Sequence, residues 1–275
     1  RDEHTGAAAY SAESYRTAAG LDYALNKNTM MALAFGSSKT QFNVENRATS
    51  GLVESNSLAL YGSQDFEKLY LKGALSYDWL DANTTRFAMV EGSAVPIVPV
   101  AGVSNNLQAD FNGEVMNGRL EVGYKTNWKK INITPFAGVQ VSSVKIDETR
   151  EKATETDDLL ALAYSKNDAY SVPVFVGAQF DTMFMFSEGS IQPYAKLSFA
   201  HDFSTRRQME ASFVSAPGYK FEVQGAVPDA NTMDVHLGFK MTSITNLAFY
   251  GQFNGQYSEN GAKNEGGTLG LELHW

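Results

Sequence analysis

The sequence predicts an all-β chain, a transmembrane antiparallel up-and-down β-barrel, and three observations predict it. Apolar and polar residues alternate strictly, the connections between alternating segments are by turns short and long, and the polar faces carry charges and glycines. A period of two belongs to a strand whose faces meet different surroundings. A soluble barrel turns its apolar face inward, whereas a membrane barrel presents that face to lipid and encloses a polar lumen. Short periplasmic turns alternating with longer outer loops are a trait of membrane barrels.

The alternation opens with Tyr15, Thr17, Ala19, Leu21, Tyr23 and Leu25 against Arg16, Ala18, Gly20, Asp22 and Ala24. It returns at 69–78, where Leu69, Leu71, Gly73, Leu75 and Tyr77 oppose Tyr70, Lys72, Ala74, Ser76 and Asp78. Residues 119–125, 172–181, 233–240 and 269–275 repeat it. Such segments give about eleven strands, at 14–25, 29–40, 52–62, 68–79, 116–126, 131–145, 170–182, 190–210, 220–241, 246–258 and 266–275, each end good to ~2–4 residues. Many are about 10–12 residues long, the length of a tilted span of the hydrocarbon layer. Tyr and Phe recur near strand ends, as interfacial girdles require. Short turns are expected at 26–28, 62–67, 126–130, 183–189 and 242–245, and long loops at 41–51, 80–115, 146–169 and 259–265, with a medium one near 211–219. The best helix candidate, 156–164, is short and acidic at its start.

Composition excludes other classes. The chain has 275 residues, 43% hydrophobic, with 17 Phe, 13 Tyr and 3 Trp, and it reads as one domain over 1–275. With 22 Lys+Arg and 31 Asp+Glu its formal charge is −9, and no basic run suggests a nucleic-acid partner. Cysteine is absent, which removes disulfide scaffolds and thiol nucleophiles. No helical span is predicted, because the longest uncharged stretch, 92–109, is broken by Pro96 and Pro99. Residues 1–10 lack the apolar core of a signal peptide.

Parity refines the count. Bacterial single-chain barrels have an even number of strands. If 266–275 runs down to a periplasmic C-terminus, 14–25 also runs down and needs an upward strand before it. The complete barrel is therefore expected to have about twelve strands, in keeping with the even counts of the class. The first would lie mostly or wholly upstream of Arg1, with 1–11 as an outer loop.

The chain resembles the C-terminal β-domain of autotransporters, the translocator of type V secretion. The phrases that carry the likeness run in order: SYRTAAGLDYAL (14–25), NTMMALAFGSS (28–38), LYLKGALSYDW (69–79), RLEVGYKTN (119–127), INITPFAGVQ (131–140), IQPYAKLSFAHDF (191–203), PGYKFEVQGA (217–226) and the closing 250–275. The resemblance implies a bacterial outer-membrane location and an N-terminal passenger carried to the cell surface. It implies a linker helix left in the pore, and a last strand read by the barrel-assembly machinery. Leu269, Leu271, Leu273 and Trp275 fit that assembly signal, since a terminal aromatic closing an apolar face suits capture by β-augmentation.

The polar faces nominate nine lumen charges: Arg16, Asp22, Lys72, Arg119, Glu121, Lys196, Asp202, Asp234 and Lys240. Their mixed signs suggest charge pairs in a water-filled bore and contacts to a threaded helix. His201 and Asp202, adjacent on a strand, point to opposite faces and make no dyad. There is no GxSxG elbow, and His4, His201, His236 and His274 have no metal-ligand spacing. No catalytic residue, cofactor or metal is therefore expected, and no nucleotide-binding motif supplies energy for export. The acidic run 147–158 reads as a solvated outer loop, the apolar stretch 94–103 as an outer-rim or pore-covering loop, and 203–226 as a hairpin reaching beyond the membrane. Glycines such as Gly20, Gly73, Gly123, Gly177, Gly238 and Gly251 are expected where aromatic rings lie flat or strands bend. The partners expected are lipid, the assembly machinery and the chain's own passenger and linker, with the barrel itself a monomer. The alternatives are a passive channel or adhesive barrel without passenger, a soluble ligand-binding barrel, and a surface hydrolase.

Overall fold

The computed structural model describes residues 9–45, 47–95, 98–100, 102–154, 158–204, 208–225, 228–243 and 246–273. In chain order the strands begin β1 (Tyr10–Asn26), β2 (Thr29–Val44), β3 (Thr49–Phe66), β4 (Leu69–Val90), β5 (Ser93–Val95), β6 (Val98–Val100) and β7 (Val103–Tyr124). They continue β8 (Thr126–Trp128), β9 (Ile131–Ile146), β10 (Thr149–Arg150), β11 (Lys152–Ala153), β12 (Leu162–Tyr164), β13 (Asn167–Ser171) and β14 (Pro173–Asp181). The last are β15 (Phe184–Phe186), β16 (Gly189–Asp202), β17 (Gln208–Phe213), β18 (Ala216–Gln224), β19 (Asn231–Ser243), β20 (Leu247–Ser258) and β21 (Lys263–Leu273).

One antiparallel meander runs β1-β2-β3-β4-β7-β9-β14-β16-β19-β20-β21. Among the described residues its eleven strands do not close on themselves, because β1 pairs only with β2 and β21 only with β20. Residues 12–16 of β1 and 264–268 of β21 nevertheless line one polar cavity of about 670 Å³, so the sheet curls until its two ends face each other.

The register assigns every side chain to a face. Ala32, Tyr61, Ala74 and Arg119 are successive cross-strand partners, and Tyr70, Gly123, Phe136, Gly177, Ser198 and Asp234 are another such row. These residues face inward. Their sequence neighbours face outward, and there the chain exposes Leu21, Leu33, Leu60, Leu75, Leu120, Val176, Leu197, Leu237 and Leu269. Val174 and Val176 are exposed while Phe175 between them is 3% exposed, the inverse of a soluble sheet. A closed or nearly closed ladder satisfies the backbone without water, so such a surface suits lipid.

The apolar band has visible edges. Tyr23, Phe66, Tyr124, Trp128 and Phe184 stand exposed at its lower rim, and Tyr15 and Trp79 at its upper rim. Above it the outward positions turn polar. Lys39 Nζ lies 2.9 Å from Glu54 Oε1, Lys145 Nζ lies 3.2 Å from Glu114 Oε1, and the Tyr257 hydroxyl donates to Glu265 Oε1 at 3.0 Å. From Tyr15 to Leu25 a tilted strand rises about 25 Å, the height of an outer-membrane apolar band.

Several boundaries depart from the sequence reading. The loops expected over 41–51 and 259–265 are tight turns, between Val44 and Thr49 and between Ser258 and Lys263, so connection length does not strictly alternate. Conversely, most of 80–115 is not loop: β4 and β7 stay paired from Leu69↔Tyr124 to Val90↔Val103 and form a ribbon that rises past the polar collar. Beyond the lipid the outward positions, Asp81, Asn83 and Thr85 on β4 and Gln108, Asp110 and Asn112 on β7, turn polar, so the pattern that marks a membrane strand fades while the pairing continues. At its tip β5 and β6, part of the apolar 94–103 stretch, form a separate small hairpin; residues 96, 97 and 101 lie outside the described set.

The predicted strand 190–210 ends at Asp202, and 220–241 divides into β18 and β19. Within the helix candidate 156–164 the described residues make a turn and then strand β12. β10, β12, β17 and β18 form a second sheet of four strands: within the hairpin expected over 203–226 the described strands β17 and β18 pair, and β17 continues the sheet onto β12, which follows the acidic run 147–158.

This second sheet packs over the inward face of the β4–β7 ribbon. Leu107, Ala109, Ala161 and Ala211 are buried, and the Phe111 and Tyr164 rings meet at 5.6 Å between centroids. Asn105, Leu107, Ala109 and Phe111 have the same parity on β7 as Arg119 and Glu121 below. The outer loops therefore lie over the bore side of the ribbon and form a cap.

Candidate functional site

All nine charges nominated from the sequence occupy inward register positions, but the structure brings together only some of them. Lys72 of β4, Arg119 and Glu121 of β7 and Lys196 of β16 meet on the inward face of the sheet, over β9 and β14. Glu121 is 4% exposed and accepts from the Tyr70 hydroxyl at 2.8 Å, from Lys196 Nζ at 3.0 Å and from the Arg119 guanidinium at 3.2 Å. A buried carboxylate needs this density of donors. Aromatic rings back the cations. Arg119 lies 3.9 Å above the Phe175 ring centroid, Lys196 4.2 Å above Phe136, and Lys72 4.7 Å from Tyr70. Tyr70, Phe136, Phe175 and Ala200 form one buried cluster. The rings lie flat because the facing residues have no Cβ: Tyr70 covers Gly123, Phe175 covers Gly138 and Phe136 covers Gly177. Gly238 under Tyr194 and Gly251 beside Phe239 repeat the arrangement, whereas Gly73 meets no ring and Gly20 abuts the β2 backbone.

The other nominated charges stand apart. Lys240 pairs with Glu272 at 2.6 Å, and Asp234 accepts from Gln256 at 2.9 Å. Arg16 lines the cavity between the two sheet ends, and Asp22 pairs in register with Ala32, next in the row to Tyr61. Asp202 is a local brace at the outer end of β16, accepting from Ser171 Oγ at 2.6 Å and from the amides of Val172 and Ser204, each at 2.9 Å. His201, on the outward side, bonds Asn231 at 2.8 Å and packs edge-on to Phe203. The two side chains are thus engaged on opposite faces. His4 and His274 lie outside the described residues, as does Trp275 of the nominated assembly signal. Leu269, Leu271 and Leu273 are 76%, 71% and 67% exposed on a strand that among the described residues is paired along one edge, to β20.

Two polar groupings escaped the sequence reading. Asp181, near the lower mouth, accepts from Asn132 and Gln192, each at 2.9 Å. In the cap, Arg86 grips Glu151 in two-pronged fashion, at 2.9 and 2.5 Å. Glu151 also accepts from the Leu162 amide at 2.8 Å and the Tyr164 hydroxyl at 3.1 Å, and Arg86 donates to the Leu160 carbonyl at 3.2 Å. Hydrogen bonding to Glu151 raises the Arg86 pKa above its usual range, against the effect of burial. Burial, then the charge of Glu151, raises the Tyr164 phenol. On the β17–β18 hairpin, hydrogen bonds from Lys220 and then Ser165 hold the Glu210 carboxyl below its usual value. Arg86 continues the inward ladder of β4, a signal readable in sequence; its partner inside the acidic run 147–158 was not.

A family model described as "Autotransporter beta-domain" matches residues 1–254. Among curated proteins the chain is 26% identical over 155 residues to outer membrane protein A of Rickettsia conorii (strain ATCC VR-613 / Malish 7), covering 54% of this chain. The match spans only 7% of that protein's length. Among solved structures, the translocator domain of the autotransporter NalP from Neisseria meningitidis superposes with a TM-score of 0.72 at 15% identity, over 97% of this chain and 82% of that one. The transport unit of AIDA-I from Escherichia coli gives 0.61 at 11% identity, over 99% and 86%. The β-domain of the Bordetella autotransporter BrkA gives 0.60 at 13%, over 96% and 92%. At these identities the structural likeness is one of fold.

Proposed function

Because this chain belongs to the autotransporter β-domain family, we propose that it works as an outer-membrane translocator barrel, inserting in the bacterial outer membrane and mediating export and anchoring of an N-terminal passenger. The observation that carries the reading is the inverted meander: lipid-compatible side chains cover the outside and a charged, hydrogen-bonded surface lines the inside. In this reading a further strand of the complete protein fits between β1 and β21 and closes the barrel. A bore of about twelve strands falls between small filled barrels and open porins, so it admits a helix or an extended hairpin rather than a folded domain.

The turns at the lower rim, such as those between Asn26 and Thr29 and between Phe66 and Leu69, then face the periplasm, as does the C-terminus, and the cap faces outward. β21, with its row of exposed leucines, is the strand the barrel-assembly machinery would capture by edge pairing. The inward charges, Arg16, Asp22, Asp202, Asp234 and Lys240 among them, line the path and meet a linker helix after export. Driving energy comes from passenger folding or from assembly, and the chain's role is conduit and anchor.

The test uses the full-length precursor with an epitope in its passenger. Expected are a barrel in the outer-membrane fraction with heat-modifiable gel mobility, and an epitope cleaved by protease added to intact cells. A folded, inserted barrel whose passenger stays protected in the periplasm would defeat export and favour a passive channel.

A further inference from the structure

Lys72, Arg119, Lys196 and Glu121 share one cavity of about 330 Å³ with Tyr61 and Ser63. Three cations against one carboxylate leave 3 − 1, an excess of two positive charges. Glu121 supplies a single negative charge, and its oxygens share it among Tyr70, Lys196 and Arg119. Lys72 is exposed to the bore, touches the Tyr70 ring, and among the described residues has no carboxylate at ion-pair distance. The aromatic rings under the three cations fix their positions without cancelling their charge. Between low-dielectric walls, clustered charges of one sign focus the field, and an anion placed among them is held more firmly than in open water.

We infer that this wall carries an anion-binding site, centred on Lys72, completed by Lys196 and Arg119, and taking a carboxylate or comparable oxyanion. Tyr61 and Ser63 add hydroxyl donors, and Met30 and Ala74 offer an apolar flank for the carbon skeleton. The inference deepens the translocator reading and rests on it, since it requires a wet bore. The carboxylate has two sources: an acidic side chain on a polypeptide threaded through the barrel, or a small anion entering from solvent.

The test compares the full-length wild-type protein with Lys72→Met in planar bilayers, using citrate as probe and heat-modifiable mobility as the check on folding. Citrate that lowers the wild-type current, with about tenfold more needed for the variant, identifies a site for free anions. A nearly closed wild-type pore that Lys72→Met opens several-fold, regardless of citrate, identifies an acidic side chain of the threaded segment as occupant. Identical currents and identical citrate sensitivity would overturn the site. Lys72→Gln serves if the Met variant does not fold. Surface display by the wild-type precursor is measured separately, so loss of the anion site with the passenger displayed leaves the export reading intact, and the reverse also holds.

Discussion

The spanning wall and the outer cap are built from the same two strands, β4 and β7, yet they solve opposite problems. Within the lipid band, Leu120 faces outward and is half exposed while Glu121 beside it is buried. Some fourteen residues up the same strand, Leu107 is 1% exposed and sits under the cap beside Ala161, which is fully buried. Parity is unbroken between the two, so the inward side of β7 changes from charged at 119–121 to apolar at 107–111 without a register shift. The surroundings account for the inversion. Lipid removes the hydrophobic incentive to bury leucine, whereas water above the collar restores it. The cap is therefore expected to behave as a small soluble domain on a membrane protein's rim.

The sharpest way to break this comparison is at the cap's ion pair. Glu151→Ala leaves the Arg86 guanidinium partly buried without its carboxylate and is expected to cost about 3–5 kcal/mol of cap stability. Hydrogen exchange should rise across 149–164 while the barrel's gel mobility stays unchanged. Equal loosening of barrel and cap would mean that they are one cooperative unit. Leu107→Ala is expected to cost about 2–4 kcal/mol, again confined to the cap, through lost burial and a cavity. Leu120→Ala on the lipid face should stay below about 1 kcal/mol, because leucine there leaves no water behind.

Reversing the chemistry tests the other side. Leu120→Arg, in the apolar band, should destabilise the folded barrel by about 2–4 kcal/mol in lipid vesicles. Gln256→Arg, on the inward face opposite Asp234, should be tolerated. Similar costs for the two would sink the assignment of faces. The smallest effect concerns pH. The Glu210 carboxyl is held down by Lys220 and Ser165, so its contribution is full above the ordinary carboxylate range and fades as acid protonates it. Protease nicking in the β17–β18 hairpin should therefore increase below about pH 4, and Glu210→Gln should flatten that dependence.

How much of this was legible in advance varies by region. Within the band the alternation assigned all nine nominated charges to the inward face, because lipid and lumen impose opposite demands on successive residues. It could not tell which charges meet. Lys72, Glu121 and Lys196 are neighbours only because β4, β7 and β16 are curled around one bore, and Lys196 reaches Glu121 from 75 residues away in sequence. The stacking of Phe175 and Phe136 under Arg119 and Lys196 was not legible either, because it depends on glycines in neighbouring strands.

The sequence by itself determined the class of fold, the two faces of the strands and most of the tight lower turns, since each follows from local periodicity and turn chemistry. Only the tertiary structure decided where strands outlive the membrane, that the acidic loop and the 208–224 hairpin join in a cap, and which charges share a site. Those outcomes depend on contacts between residues far apart in the chain, and a one-dimensional pattern carries the sign of a residue's surroundings but not the identity of its neighbour.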